Sequence, residues 1–338
     1  MSAGRGGTLF LLLLGGLAAA MLASLALGAV SLPLWEVLAA LVGGRQAEPM
    51  AVAIVRDLRG GRVLLAGGIG AGLAAAGAAL QGLFRNPLAD PFVVGASSGA
   101  ALGATLALSA GLQWHAAGFS PVPLAAFAGA LLAVALVYAI AEIGGVAPVT
   151  TLLLAGAALS TFLGAVVSLL VLLNERNLHA VFTWLLGSLA GRGWPQLRAS
   201  LPYLLAGIGL LWLLARPLDA LVFGEETAQS LGLSLRWVRG AVVGAASLAT
   251  AAAVAAGGTI GFVGLIAPHV ARLLVGAGHA RLIPASALLG ALLLVLADDV
   301  ARTVLAPLEL PVGLITAMLG GPFFLYLLKT RRQALGVR

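Results

Sequence analysis

Ten apolar runs of near membrane-crossing length dominate the sequence, at about residues 8–30, 62–81, 92–110, 121–141, 149–173, 198–215, 237–256, 262–276, 283–304 and 311–329. An apolar helix needs about 20 residues to cross the hydrocarbon layer, and in lipid a helix satisfies its own backbone hydrogen bonds. The fold predicted is an all-α polytopic membrane protein of about ten transmembrane helices, forming one transmembrane domain over residues 1–338. Only 9% of the residues are charged, whereas a soluble domain carries about a quarter, so lipid is the solvent this chain is written for.

The formal net charge of +7 does not point to nucleic acid, because the 19 basic residues are scattered between apolar runs and form no basic stripe with interleaved aromatics. Cysteine is absent, which removes disulfides, thiolate metal sites and cysteine nucleophiles. The first run, Thr8 to Val30, exceeds the roughly 7 to 15 residues of a signal-peptide core, so it is expected to stay as the first span.

An even number of spans puts both termini on one side. With the termini inside, eleven basic residues are cytoplasmic: Arg5, Arg85, Arg216, Arg236, Arg239, Arg272, Arg281, Lys329, Arg331, Arg332 and Arg338. Eight then lie outside: Arg45, Arg56, Arg59, Arg62, Arg176, Arg192, Arg198 and Arg302. The bias favours cytoplasmic termini, and half of the outside set is concentrated between Arg45 and Arg62.

Chemistry in the sequence is sparse. Gly95-Ala96-Ser97-Ser98-Gly99 fits the G-x-S-x-G nucleophile elbow, which would make an intramembrane hydrolase resting on Ser97, but it opens an apolar helix rather than a strand-to-helix turn. His115, His179, His269 and His279 include no pair at i, i+4, so no metal site is predicted. His115 and His179 fall in outside loops, where solvated histidines are common. The only lysine, Lys329, is not in a phosphate-binding loop, so the chain is expected to hydrolyse no ATP and to have no catalytic residues. Glu142, Asp298 and Asp299 lie near span ends, with Asp298 able to reach Arg302 at i, i+4. Such acids can serve a proton relay, which keeps an ion-coupled secondary transporter open as the alternative.

Glycines at close-packing spacings, Gly68/Gly72 and Gly240/Gly244, predict helix contacts. The longest polar connection, 216–236, contains a predicted short helix from Glu225 to Leu231, with acids favoured in its first turn and Gly232 at the stop position. In the fifth run Thr150, Ala157, Thr161, Gly164 and Ser168 share one helix face, a small-residue face that can pack against another helix.

Arg56-Asp57-Leu58-Arg59, then Gln81-Gly82-Leu83-Phe84-Arg85-Asn86-Pro87-Leu88-Ala89-Asp90-Pro91 and Gly95-Ala96-Ser97-Ser98-Gly99-Ala100, resemble signatures of the FecCD family of permeases. So do Gly261-Phe262-Val263-Gly264-Leu265-Ile266-Ala267-Pro268-His269 and Glu309-Leu310-Pro311-Val312-Gly313. The resemblance runs from about residue 56 to 330 and implies the type II permease fold of an ATP-binding-cassette importer. It implies a homodimer in the bacterial cytoplasmic (inner) membrane, two cytoplasmic ATPase subunits and an external or periplasmic binding protein. ATP and magnesium belong to the partner subunits, and the cargo is an iron chelate (siderophore or haem) or cobalamin. By the same resemblance Arg56, Arg59 and Arg302 dock the binding protein. Glu225, Ala228, Leu231 and Gly232 couple to the ATPase, the A-x-x-L-G spacing entering its groove. Thr150 and Thr151 belong to the cytoplasmic gate, and Ala157, Thr161, Gly164 and Ser168 to the translocation path.

Overall fold

The computed structural model describes residues 3–28, 30–43, 48–112, 114, 120–142 and 147–334. Among these, all regular structure is helical. Its order is α1 (Ala3–Ala26), α2 (Leu34–Val42), α3 (Pro49–Val52), a π-helical stretch (Ala53–Gly60), α4 (Gly61–Leu83), α5 (Ala96–Ser109), α6 (Pro121–Ala141), α7 (Val149–Leu173) and α8 (Leu178–Leu185). There follow α9 (Trp194–Leu213), α10 (Ala215–Phe223), α11 (Glu225–Ser230), α12 (Leu235–Gly257), α13 (Val263–Val275), α14 (His279–Thr303) and α15 (Val312–Ala334). Arg45 and His115 lie outside the described residues.

Each of the ten apolar runs has its helix, but not all reach membrane length. Among the described residues six helices are long and apolar enough to cross, or seven if the pair α9 and α10, bent by 48°, is one span. The shorter α5 and α13, and α15, whose apolar stretch is only Val312–Leu327, fill the other places. Short spans are tolerable where irregular backbone is covered by protein: a 3-10 turn, Pro91–Val94, leads into α5, and Asp90 caps it by accepting from the Phe92 N–H at 2.9 Å.

α4 is the central helix, packed against α9, α12, α13 and α14. Its sequence explains the position. A Cβ built on Gly77 would stand 1.9 Å from the Gly264 carbonyl oxygen, and one on Gly70 would stand 2.2 Å from that of Gly290. Only hydrogen at these positions lets α4 touch the backbones of α13 and α14, and close backbone approach is what holds helices together in lipid. Gly99 of α5 and Gly129 of α6 meet in the same way. Of the predicted spacings, Gly72 packs tightly on Leu204, whereas Gly244 faces open space.

Hydrogen bonds tie the bundle at two ends. One end joins Ser24, Leu25, Ala26 and Val30 with residues 56–62, 298–302 and 309; it is the arginine-rich end. The other joins Arg85, Glu142, Ala147, Asp219, Glu225 and His279, and there His279 Nδ1 meets Asp219 at 2.6 Å, clamping the start of α14 to α10.

Candidate functional site

The connection 216–236 folds as α10 and α11. Glu225 and Glu226 occupy the first turn of α11, where exposed N–H groups favour negative charge. Gly232 adopts φ +79°, a left-handed stop in which its N–H donates to Gln229 O at 2.8 Å and Leu233 N–H donates to Ala228 O at 3.1 Å. Ala228 departs from its predicted place at a partner surface. It is fully buried in the chain's own core, because its methyl is what seats α11 on the bundle. Leu231 is 67% exposed, and Val222 and Phe223 at the end of α10 are exposed as well.

A cation missed by sequence reasoning organises this end. Arg239 of α12 is buried, pairs with Glu225 at 2.6 Å and donates to the Ala147 carbonyl at 3.2 Å. Ala147 immediately precedes Pro148, the residue that starts α7. One turn earlier Arg236 pairs at 2.9 Å with Glu142, which ends α6. A single face of α12 thus holds the α11 helix and both ends of the α6–α7 connection. The available signal was an arginine inside an apolar run, which needs a partner there.

On α7 the predicted stripe is continuous. Thr150, Ala157, Thr161, Gly164 and Ser168 are all exposed and Thr151 is half-buried. The Thr161 hydroxyl donates to Ala157 O and that of Ser168 to Gly164 O, each at 2.9 Å. These hydroxyls satisfy themselves within the helix, leaving a smooth, small-residue face. An adjoining face is seated by Gly156, whose Cβ would meet Val93 O at 2.2 Å.

The arginine-rich end corrects two predictions. Arg59 is buried and donates to the carbonyls of Leu25, Ala26 and Val30, so it closes the end of α1. Arg302 is buried against Ser24 and Asp299, not Asp298. Both guanidinium groups are turned into their own bundle, with the Arg302 Nε buried and without an acceptor among the described residues. Arg56 is exposed, although its fork bonds the Ala40 and Leu41 carbonyls at 2.6 and 2.8 Å and caps α2. Asp298 belongs instead to Arg62, which grips it bidentately at 2.9 Å and holds Glu309 at 2.8 Å. Bidentate guanidinium–carboxylate pairs are among the strongest hydrogen-bonded ion pairs. Ser97 and Ser98 open α5, where the Ser98 hydroxyl donates to Gly95 O at 3.0 Å and lies 3.2 Å from that of Ser160 on α7.

A bundle of ten apolar helical segments with a capped polar segment at one end and a smooth exposed helix face is the architecture of a polytopic membrane permease. The FecCD transport family matches this chain over residues 16–330, and the chain belongs to that family. It is 48% identical to the cobalamin import system permease protein BtuC of Halobacterium salinarum, covering 82% of this chain and 74% of that one. It is 40% identical to the hemin transport system permease protein HmuU of Yersinia pestis (82% and 83% covered). It is 38% identical to the Fe(3+) dicitrate transport system permease protein FecD of Escherichia coli (94% and 96%). A solved inward-facing structure of a metal-chelate type ABC transporter superposes with a TM-score of 0.84, at 33% identity over 96% of this chain and 99% of that one.

Proposed function

We propose that this chain is the transmembrane permease subunit of an ATP-binding-cassette importer that moves an iron chelate, haem or cobalamin from the exterior or periplasm to the cytoplasm. Family membership carries the reading, since relatives named for cobalamin, hemin and Fe(3+) dicitrate import align over most of their length. The ion-coupled alternative would need an intramembrane acid free to exchange protons, yet Asp298 and Asp299 are each paired with an arginine.

In this reading two copies assemble in the bacterial cytoplasmic membrane with cytoplasmic termini, their α7 helices lining a path between them. The self-satisfied hydroxyls of Thr161 and Ser168 suit a wall that lets a bulky cargo pass without holding it. Two cytoplasmic ATPase subunits hold ATP and magnesium, and this chain binds no cofactor of its own. They receive the exposed Leu231, Val222 and Phe223, while buried Ala228 and the Gly232 stop keep α11 in shape. Displacement of α11 passes through Glu225 and Arg239 to Ala147, and so to the gate at Thr150 and Thr151. Arg56, the one accessible member of the predicted docking set, contributes to capture of the external binding protein.

The test is reconstitution in proteoliposomes with the cognate ATPase and binding protein. ATP-dependent accumulation of iron(III) citrate, hemin or cobalamin is the expected result, with Leu231→Glu uncoupling ATP hydrolysis from uptake. Uptake driven by a proton gradient without any ATPase overturns the reading.

A further inference from the structure

At the arginine-rich end, α2 carries an apolar face that no described residue covers. Its other side is seated on the bundle: Val37 and Ala40 are fully buried, and the helix packs against α1, α3 and the π-helical stretch. Leu34, Trp35, Leu38, Leu41 and Val42 are all exposed, Trp35 by 65% and Val42 by 85%. At 3.6 residues per turn these five fall within one arc of about 120°. Glu36, the only charged residue of α2, lies outside that arc.

Water is a poor solvent for such a face, since contiguous exposed apolar patches mark a contact with protein or membrane. Three observations favour membrane. The first is length: at 1.5 Å per residue α2 spans about 14 Å, against about 30 Å of hydrocarbon, so it can lie on a bilayer but not cross one. The second is continuity. Only 11% of the most apolar stretch of α1 is buried within the chain, so the flank of α1 is given to lipid, and Leu27 and Val30 just beyond its end are exposed too. Only residues 27–33 join α1 to α2, which keeps α2 within a short length of chain of that flank. The third is composition: leucine and valine with one tryptophan, whose amphipathic ring suits the headgroup level. The face offers no charge for a protein partner to read.

We propose that α2 is an interfacial anchor, its apolar face laid into the boundary between headgroups and acyl chains on the membrane surface at the arginine-rich end. Its partner is a phospholipid surface, held by apolar burial and by Trp35 rather than by headgroup charge. The anchor reaches the polar groups of this end through Arg56, whose fork bonds the Ala40 and Leu41 carbonyls at the end of α2. The depth of α2 therefore sets the height of Arg56 over the lipid. This inference stands on the exposed face alone and is independent of cargo and ATPase.

The experiment places single cysteines in the full-length permease, whose sequence has none of its own. The variants are Leu38→Cys, Val42→Cys and, as a control, Glu48→Cys at the exposed start of α3. Each is labelled with a nitroxide in nanodiscs of phosphatidylethanolamine and phosphatidylglycerol, and its collisions with apolar oxygen and with a polar nickel chelate are measured by electron paramagnetic resonance. Oxygen is expected to dominate for Leu38→Cys and Val42→Cys, at a depth of about 5–10 Å into the headgroup and acyl boundary, and the nickel chelate for Glu48→Cys. A second measurement leaves α2 unlabelled: lipids brominated high in the acyl chain should quench part of the wild-type tryptophan fluorescence, and Trp35→Phe should lose some of that quenching. Nickel access at both α2 positions equal to that of Glu48→Cys, or undiminished bromine quenching in Trp35→Phe, overturns the proposal. Nickel access that disappears only when the external binding protein is added overturns it too, and gives the face to a protein instead.

Discussion

α4 and α7 are both apolar enough to cross a membrane, yet 83% of the most apolar stretch of Pro49–Leu83 is buried within the chain against 11% of that of Val149–Leu173. Side-chain size separates them. α4 places Gly70 and Gly77 at its closest approaches to α14 and α13, while α7 turns Leu154, Phe162, Leu169 and Leu172 outward beside its small-residue stripe. Hydropathy sets the solvent for both helices; residue volume decides which one the others can surround.

The contrast breaks most sharply at glycine. Gly77→Val drives a side chain into the α13 backbone, and its cost is expected to exceed about 4 kcal/mol, the range of severe overpacking. Size-exclusion chromatography in mild detergent should show no monodisperse permease. Gly164→Val on α7 meets open space in this chain and should leave the same profile intact. Equal behaviour of the two variants would erase the distinction.

A second test sets the buried charges at the start of α4 against the same bare face of α7. Arg62→Leu strands Asp298 and Glu309, and breaking a buried pair costs about 3–5 kcal/mol, read as a large fall in thermal midpoint in detergent. Arg62→Leu with Asp298→Leu removes both charges and should recover part of that loss. If the double variant is no better than the single one, packing rather than pairing explains Arg62.

Bulky substitutions on α7 should act on transport without touching stability. Thr161→Trp or Ser168→Trp is expected to leave stability within about 0.5 kcal/mol of wild type, as for a surface change, while ATP-driven uptake falls. A destabilised but transport-competent Thr161→Trp would mean that this face packs inside the bundle.

Much of the architecture was legible because membrane solvent writes itself as run length: all ten apolar runs became helices, and the Gly232 stop was readable from glycine chemistry. The family signatures were legible as well, and the structure gives many of their residues packing roles. Gly264 touches α4, the Gly313 N–H donates to Gly187 O at 3.1 Å, and Glu309 pairs with Arg62. What sequence did not disclose is partner choice across the bundle. Arg59, Arg62 and Arg302 look alike as outside arginines, and Arg239 looks like an inside one. Which are consumed depends on contacts more than 30 residues away, as in Arg59 to Leu25 or Arg62 to Asp298. The exposed face of α7 was readable by helical spacing, but not that nothing else in this chain would cover it.

The smallest expected effect separates neighbouring arginines one helical turn apart. Arg59 lies in the segment that enters α4 and is buried against carbonyls; Arg56 is exposed and holds the end of α2. Arg59→Glu sets a carboxylate against three carbonyl oxygens with little water to screen it, so it should fail as a fold rather than as a docking surface. Arg56→Glu loses a cap in a solvated position and should fold. Its effect belongs to association: a rim charge mainly alters the on-rate and its salt dependence, and at low ionic strength the screening length grows. Surface plasmon resonance with the cognate binding protein should therefore show a slower on-rate for Arg56→Glu at low salt, a gap that closes as salt is raised, and an unchanged thermal midpoint. An on-rate identical to wild type at low salt would assign Arg56 wholly to α2 and leave the docking surface elsewhere on this end.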